Sequence, residues 1–539
     1  GIALAELAPR LTSPEAKGFG AYLEGTLAFY DGRQSDAAGK FEQAAQAKNG
    51  WLADTARYMV ARAMLNGASD GLYDKYGYRD DKVALDATKV KASEDAFNAY
   101  LKAFPNGRYV ASARGLLRRV WWLGGDYTRL DGEYARLLAD PNQSLADLSE
   151  EIDIKYLQYA TSSKNPVILA AMDMVRMRGG GSYAMEACCG KPLTAEELAG
   201  QADVFAKHPA LYDYLKAAHA FYVNNNAKEV LRLIPDAAKQ KEFSHVQFAR
   251  QMLRGEALAA SKDRNTRGFL IDMLSGAKST SQRSLVELAI AQQDEKNGQI
   301  ARVFAKGSPV QNPMIRRVLL TNSADAPLLR QQAKNKGVSK EERELATFIL
   351  LKKQLQAGLY KAFLDDLKLV PTGTKPQTEG YFYPYAVPLE PPLGIFTGAI
   401  GGSLYPCPAI KSVATTLNTN PKDSKAQLCL ADFMRTRLDS DWYGYSPDDK
   451  SGNLGSTKSL LDSKPFSRMA IYQRLIADPK VTGNDKAYAL HRAIRCFETS
   501  GYNHCGDQDI PVAQRKSWFQ QLKRDYPDNP IATSLKYYW

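Results

Sequence analysis

The chain predicts an all-α fold, a degenerate α-solenoid broken by one Pro/Gly/aromatic-rich insertion. Two observations carry this. First, a phrase recurs near the two ends. Ala96-Phe97-Asn98-Ala99-Tyr100-Leu101-Lys102-Ala103-Phe104-Pro105-Asn106-Gly107 is followed by Tyr109-Val110-Ala111. Trp518-Phe519-Gln520-Gln521-Leu522-Lys523-Arg524-Asp525-Tyr526-Pro527-Asp528-Asn529 is followed by Pro530-Ile531-Ala532. Each reads as an apolar-striped helix, an aromatic-Pro-Asn/Asp stop and a second helix opening on an aliphatic-Ala pair. That is a helical hairpin, and its recurrence points to units that bury their faces on one another. Second, helix starts succeed one another from 150 to 370 with no useful run of strand alternation. About two-thirds or more of the residues should be helical, in an elongated or curved shape.

Along the chain, residues 18–66 form the cleanest unit. Gly25, Gly32, Ala37, Phe41 and Ala44 place small residues at helix crossings and an aromatic wedge between them. A helix follows from about Leu52 to Asn66, striped by Ala56, Met59, Val60 and Ala63, with Gly67 as its expected stop. Residues 67–90 read as a loop rich in Tyr, Asp and Lys, and the hairpin of 92–123 comes next. Between 150 and 370, Asn165-Pro166 and Asn312-Pro313 set a capping residue before a proline suited to the first turn. Thr194-x-x-Glu197 and Ser339-x-x-Glu342 read as capping boxes. Phe269, Leu270, Met273 and Leu274 make one stripe closed by Gly276; Leu345, Phe348, Ile349 and Lys352 make another.

The stretch 371–406 breaks the pattern with seven prolines, the cluster Tyr381-Phe382-Tyr383-Pro384-Tyr385, and glycines from Gly394 to Gly402. Dense proline forbids helix, and a long loop in a compact protein is usually functional or a linker. A linker would be poor in aromatics, so Tyr381, Phe382, Tyr383 and Tyr385 are the candidate partner-binding residues, with packing against the helices as the competing reading. Helical signals return at Ala409–Leu417 and Ala426–Arg437, pause over 439–457 and resume to the end.

The hairpin at 18–66 resembles a tetratricopeptide repeat, although it lacks the Trp and Pro of the strict pattern. Ala96, Tyr100, Phe104-Pro105-Asn106 and Tyr109-Val110-Ala111 resemble the repeats of Gram-negative outer-membrane-assembly lipoproteins and of the coordinator proteins of the Tol-Pal system. The likeness covers about 100 residues here and about 25 at the C-terminal end. It implies tetratricopeptide-like repeats over 1–140, a degenerate α-solenoid over 141–370, an irregular insertion with helices over 371–445 and a C-terminal helical repeat or cap over 446–539. It also implies a periplasmic protein, with outer-membrane association through a removed or lipidated N-terminus, that binds protein partners in the cell envelope.

Bulk properties narrow the classes. At 539 residues and 44% apolar, the chain can build large cores. No uncharged apolar run reaches about 18 residues, so no transmembrane helix is expected. No charged and then apolar leader follows Gly1, which says little about export because residue 1 can follow a removed segment. The net charge of +12 is spread thinly. Without a Lys/Arg block it argues against nucleic acid, and Arg118-Arg119 and Arg316-Arg317 read as solvated helix faces.

Six cysteines fall in local groups: Cys188-Cys189, Cys407 with Cys429, and Cys496 with Cys505. Their even number suggests local disulfides and an oxidising compartment, against six buried thiols in the cytosol. His491, Cys496, His504 and Cys505 could make a tetrahedral zinc site, but adjacent His504 and Cys505 rarely reach one ion together, and a disulfide is simpler. Neither a metal nor a cofactor is expected.

Catalytic signatures are sparse. There is no G-x-x-x-x-G-K-S/T, no H-E-x-x-H and no C-x-x-C. Ser275-Gly276-Ala277-Lys278 fits S-x-x-K only at a predicted helix end. Trp121-Trp122 is a candidate sugar platform, with one indole expected in the core. The leading expectation is a non-enzymatic scaffold. The alternative is a protein that binds or processes peptidoglycan or polysaccharide, since soluble lytic transglycosylases also use a long basic helical superstructure. Those enzymes add a Glu-Ser signature, of which Glu498-Thr499-Ser500 is a distant echo. A polysaccharide-export or secretion component is a third reading.

Overall fold

The structure, a computed structural model, describes residues 11–539 except 77, 79, 81, 141–142, 158, 161, 180–191, 379–382, 384, 439–452, 458–465 and 507–508. Helix accounts for 63% and strand for 1%, a little below the two-thirds expected, because long connections, such as the described residues of 370–392, carry no regular element. The chain forms two compact units, Gly1–Pro235 and Asp236–Trp539, and their boundary lies inside the stretch 141–370. Within each unit, successive helices pack chiefly on one another.

The first unit opens with α1 (Pro14–Tyr30), α2 (Gln34–Ala44) and α3 (Gly50–Ser69). Ser13 and Asn49 cap α1 and α3 through their side chains. The expected close crossing is present. A Cβ on Gly25 of α1 would lie 2.9 Å from the Phe41 ring of α2, and Phe41 is fully buried. Gly67 does not end α3. It lies inside that helix, with room for a Cβ only at van der Waals distance from Gln34.

The next hairpin is α4 (Ala87–Ala103) and α5 (Val110–Leu123). Its corner is held in a way particular to the first copy, since Leu522 stands in the second where Tyr100 stands here. The Tyr100 hydroxyl donates to Asp54 Oδ1 of α3 at 2.7 Å and accepts the Tyr109 N–H at 3.0 Å, while the Arg108 N–H donates to Asp54 Oδ2 at 3.1 Å. One tyrosine and one carboxylate thus hold the Phe104-Pro105-Asn106-Gly107 turn against the previous helix. Then come α6 (Tyr127–Leu138), α7 (Leu145–Ile152), α8 (Pro166–Arg178), α9 (Ala195–Gly200), α10 (Pro209–Tyr222) and α11 (Ala227–Leu233). Asn165 caps α8 ahead of its proline, and Thr194 and Glu197 close a reciprocal capping box on α9. Arg118 is not a solvated charge: its guanidinium grips Glu151 with two 2.8 Å bonds, both side chains mostly buried.

The second unit begins with α12 (His245–Ala260), α13 (Thr266–Met273), α14 (Thr280–Lys296), α15 (Pro313–Asn322), α16 (Ala326–Lys334), α17 (Lys340–Gln356) and α18 (Tyr360–Asp366). Arg–carboxylate pairs tie these helices together: Arg267–Asp294 from α13 to α14, Arg316–Glu342 from α15 to α17, and Arg330–Asp366 from α16 to α18. Arg316, expected on a solvated face, is buried. It also donates to the Val303 carbonyl at 2.7 Å and lies over the Phe304 ring. The Ser339 hydroxyl caps α17, but the Glu342 carboxylate serves Arg316 rather than closing a box. Ser244 and Gln247 form an unforeseen box on α12.

A two-stranded antiparallel hairpin, β1 (Ala399–Gly401) with β2 (Cys407–Ala409), leads into α19 (Ile410–Thr419) and α20 (Ser424–Arg437). The unit closes with α21 (Arg468–Ala477), α22 (Gly483–Arg495), α23 (Val512–Asp525) and α24 (Pro530–Ser534). The last two are the second copy of the recurring phrase, with Asn529 capping α24.

Two tests follow from packing. Gly25→Val should lower stability by about 1–3 kcal/mol, because Phe41 has no room to retreat. Gly39→Ala, on the open face of α2 with nothing within 4 Å, should raise it by about 0.5–1 kcal/mol. Thermal unfolding of both variants distinguishes a crossing glycine from an idle one.

A second test concerns charge. Asp173 of α8 is buried; Gln201 Nε2 donates to its Oδ1 at 3.1 Å and its Oδ2 has no partner. Burial pushes its carboxyl up to about 6. The folded state therefore holds this proton more tightly than the unfolded chain, and stability is lost as pH rises through about 6. Asp173→Asn should match the parent at pH ~4 and exceed it by about 1–3 kcal/mol at pH ~7.5. Denaturation midpoints across that range would show the two curves diverging; parallel curves would refute the assignment.

Candidate functional site

The proline-rich stretch splits into two parts. Tyr383 is 44% exposed, and its ring meets Tyr385 edge-on at 5.5 Å. Tyr385 is half-buried and its hydroxyl accepts from Asn322 Nδ2 at 3.3 Å. Tyr381 and Phe382 lie outside the described residues. Beyond them the chain turns inward: Leu389, Leu393, Ile395 and Phe396 are buried, and Phe396 meets the rings of Phe348, Phe363 and Phe433. The part from 389 to 396 is therefore core, not working surface, because its apolar side chains fill the space between α17, α18 and α20. Trp121 and Trp122 are both half-buried against apolar clusters rather than divided between core and solvent.

Both expected local disulfides are present, Cys407–Cys429 and Cys496–Cys505. Cys188 and Cys189 lie outside the described residues. The bridge between Cys496 and Cys505 uses the two thiols of the candidate zinc set. The His491 imidazole goes elsewhere: its Nε2 lies 3.3 Å from the Ser534 hydroxyl. His504 Nε2 lies 2.7 Å from the Ser500 hydroxyl.

Between β1–β2, α20 and α22 is a cleft of about 250 Å3. The Cys407–Cys429 bridge ties the hairpin to α20, and Arg437 of α20 donates to the Ile400 carbonyl at 3.1 Å. Those two ties hold the glycine rim, Gly401 and Gly402, over the opening. Both glycines have positive φ, and a Cβ on Gly402 would lie 2.8 Å from the Tyr405 carbonyl oxygen. One wall is an aromatic column: Tyr405 stacks on Tyr488 at 4.2 Å and Tyr488 on His491 at 5.9 Å.

The cleft is electropositive. Arg435, Arg492 and Arg495 line it, with Asp432 as the carboxylate among the lining residues. Asp432 is already engaged: its Oδ1 accepts from Arg435 at 3.1 and 3.2 Å and its Oδ2 from the Tyr488 hydroxyl at 2.6 Å. Arg495 pairs with Glu498 at 2.7 Å. Burial, reinforced by Arg492, Arg495 and Arg435, pushes the His491 imidazole down to about 3, so it is neutral at ordinary pH. These residues went unread in the sequence except for His491. A signal existed: Tyr488, His491, Arg492 and Arg495 recur at i, i+3, i+4 and i+7, a polar stripe on an otherwise apolar helix.

The first unit carries a groove of about 510 Å3 between α2, α3 and α4. Ala45, Ala92, Ala96 and Ala99 line it, with Arg57 and Asp95 among its charged residues. Small side chains leave backbone-scale room for an incoming chain.

Two short motifs find structural uses. Gly67-Ala68-Ser69-Asp70-Gly71 fits G-x-S-x-G, but Ser69 ends a helix and its hydroxyl donates to the Leu65 carbonyl at 3.0 Å, with no strand-to-helix elbow. The Ser275 hydroxyl donates to the carbonyls of Gln240 and Asp272. Comparison of the chain with protein-family models, with characterised proteins and with solved structures finds no match.

Removing the Cys407–Cys429 bridge by paired substitution to Ser should cost about 3 kcal/mol, and removing Cys496–Cys505, with its shorter loop, slightly less. Urea midpoints of the two paired variants, read against the oxidised parent, check both values.

Proposed function

We propose that this chain is a non-enzymatic scaffold or adaptor of the Gram-negative periplasm that holds protein partners in the cell envelope, in the manner of tetratricopeptide-like repeat proteins. The groove on α2, α3 and α4 is the observation that carries the reading. Its alanine floor admits an extended or helical segment, and its mixed charges provide register. Successive packing of helical hairpins supports the repeat-protein likeness.

The compartment rests on the two disulfides. A unit of this size has ample core and does not need cross-links to fold, so their presence points to an oxidising space rather than to a stability deficit. Among the described residues no helix is long and apolar enough to cross a membrane. Tyr381, Phe382, Tyr383 and Tyr385 supply a further contact surface, and of the two described, Tyr383 and Tyr385, the first is exposed.

The alternative is binding or processing of peptidoglycan or polysaccharide, favoured by the arginine-lined cleft. Photocrosslinkers placed at Ala99 and at Tyr383, in the chain exported to a Gram-negative periplasm, separate the two. The scaffold reading expects discrete protein adducts at Ala99 that vanish in Ala92→Glu, with the melting temperature moved by no more than about 2 °C. Adducts with cell-wall material alone, or none, would favour the alternative.

A further inference from the structure

Buried cations are rare because desolvation must be offset by acceptors. Among the described residues six are buried: Arg316, Arg437, Arg468, Lys486, Arg492 and Arg515. Five have acceptors. Arg316 holds Glu342 and two carbonyls. Arg437 donates to Ile400, Arg468 to the His504 carbonyl and Arg515 to the Trp539 carbonyl. Lys486 donates to the carbonyls of Leu475, Ile476 and Asp478 at 2.6–3.0 Å, at the end of α21.

Arg492 is the exception. It is 9% exposed, it lines the cleft, and its guanidinium makes no ion pair among the described residues; the neutral Tyr472 hydroxyl lies beside it. Its buried Nε has no partner in hydrogen-bond geometry. His491, also in the cleft wall, leaves its buried Nδ1 unpartnered. Asp432 accepts its hydrogen bonds from Arg435 and Tyr488 and acts on Arg492 only through its charge. Among the described residues Arg435 and Arg495 are each paired with a carboxylate and Arg492 with none, so this lining carries net positive charge beside an aromatic column.

We propose that this cleft is a binding site for an oxyanion, carboxylate or phosphate, carried on a sugar-sized polar ligand, with Arg492 as its charge partner and Arg495 at the rim. A guanidinium matches both oxyanions through paired N–H donors. The volume of about 250 Å3 has room for one ring-sized body. The binding depends on nothing in the groove of the first unit, so either site can fail without the other.

The test uses the full chain with histidine rings isotopically labelled, at constant ionic strength set with chloride. Inorganic phosphate, glucuronate and neutral glucose are titrated separately while the His491 ring resonances are followed. A saturable perturbation with phosphate, glucuronate or both, at a Kd on the order of 1 mM or tighter, is expected, with none from glucose. Which anion binds more tightly identifies phosphate or carboxylate as the recognised group. Arg492→Gln should weaken binding by at least about tenfold. If that variant does not fold, Arg495→Gln, on the half-exposed rim, should still weaken it by about two- to fivefold. Absence of a saturable response to both anions, an equal response to glucose, or full binding in the folded Arg variants would overturn the proposal.

Discussion

Two helices sunk on every side set the problem that the C-terminal unit solves. In α20, all residues from Ala426 to Met434 are buried, and in α22 all from Lys486 to Ile494. Such helices cannot turn a charged face to water, so each ionic side chain needs an internal partner or a cavity of its own. Asp432 meets Arg435 and Tyr488, Lys486 caps the end of α21, and Arg474 reaches in to Gln427. The cleft is where that internal matching stops, at Arg492.

The same constraint appears in milder form through α13–α18. Helices that stack in succession leave few faces exposed, and the Arg–carboxylate pairs fall where one helix must pass charge across to the next. Glu295 shows the neutral version. Buried without a cation, it accepts from Ser323, from Thr457 and from the Gly455 N–H, and so fastens the short stretch 453–457 onto α14. In the first unit the constraint is steric instead, and glycine and alanine let α1, α2 and α3 approach closely.

What could be read from the sequence was local. Caps at Asn165 and Asn312, the wedge of Phe41 beneath Gly25, the hairpin at Phe104-Pro105-Asn106 and both short-range disulfides depend on residues close in the chain. What could not be read was assembled from distant parts. Arg316 looks like any basic helix residue until Glu342 arrives from two helices away. The cleft joins 400–405 to 432–436 and 488–495, and no spacing rule connects them. Gly67 misled because a glycine within a helix, with a Cβ tolerated at van der Waals distance from Gln34, reads in sequence like a stop. The aromatic stretch was half legible: composition marks it as unusual, but only packing tells Tyr383, left outside, from Phe396, drawn in.

The two disulfides join cysteines 22 and 9 positions apart, and their loops neither nest nor interleave. A thiol meets its nearer neighbours along the chain more often than distant ones, since closing a loop costs more as it lengthens. A polypeptide delivered N-terminus first presents Cys407 with Cys429 before Cys496 has appeared, and then Cys496 with Cys505. For these four cysteines, oxidation in order of arrival already yields the native pairing.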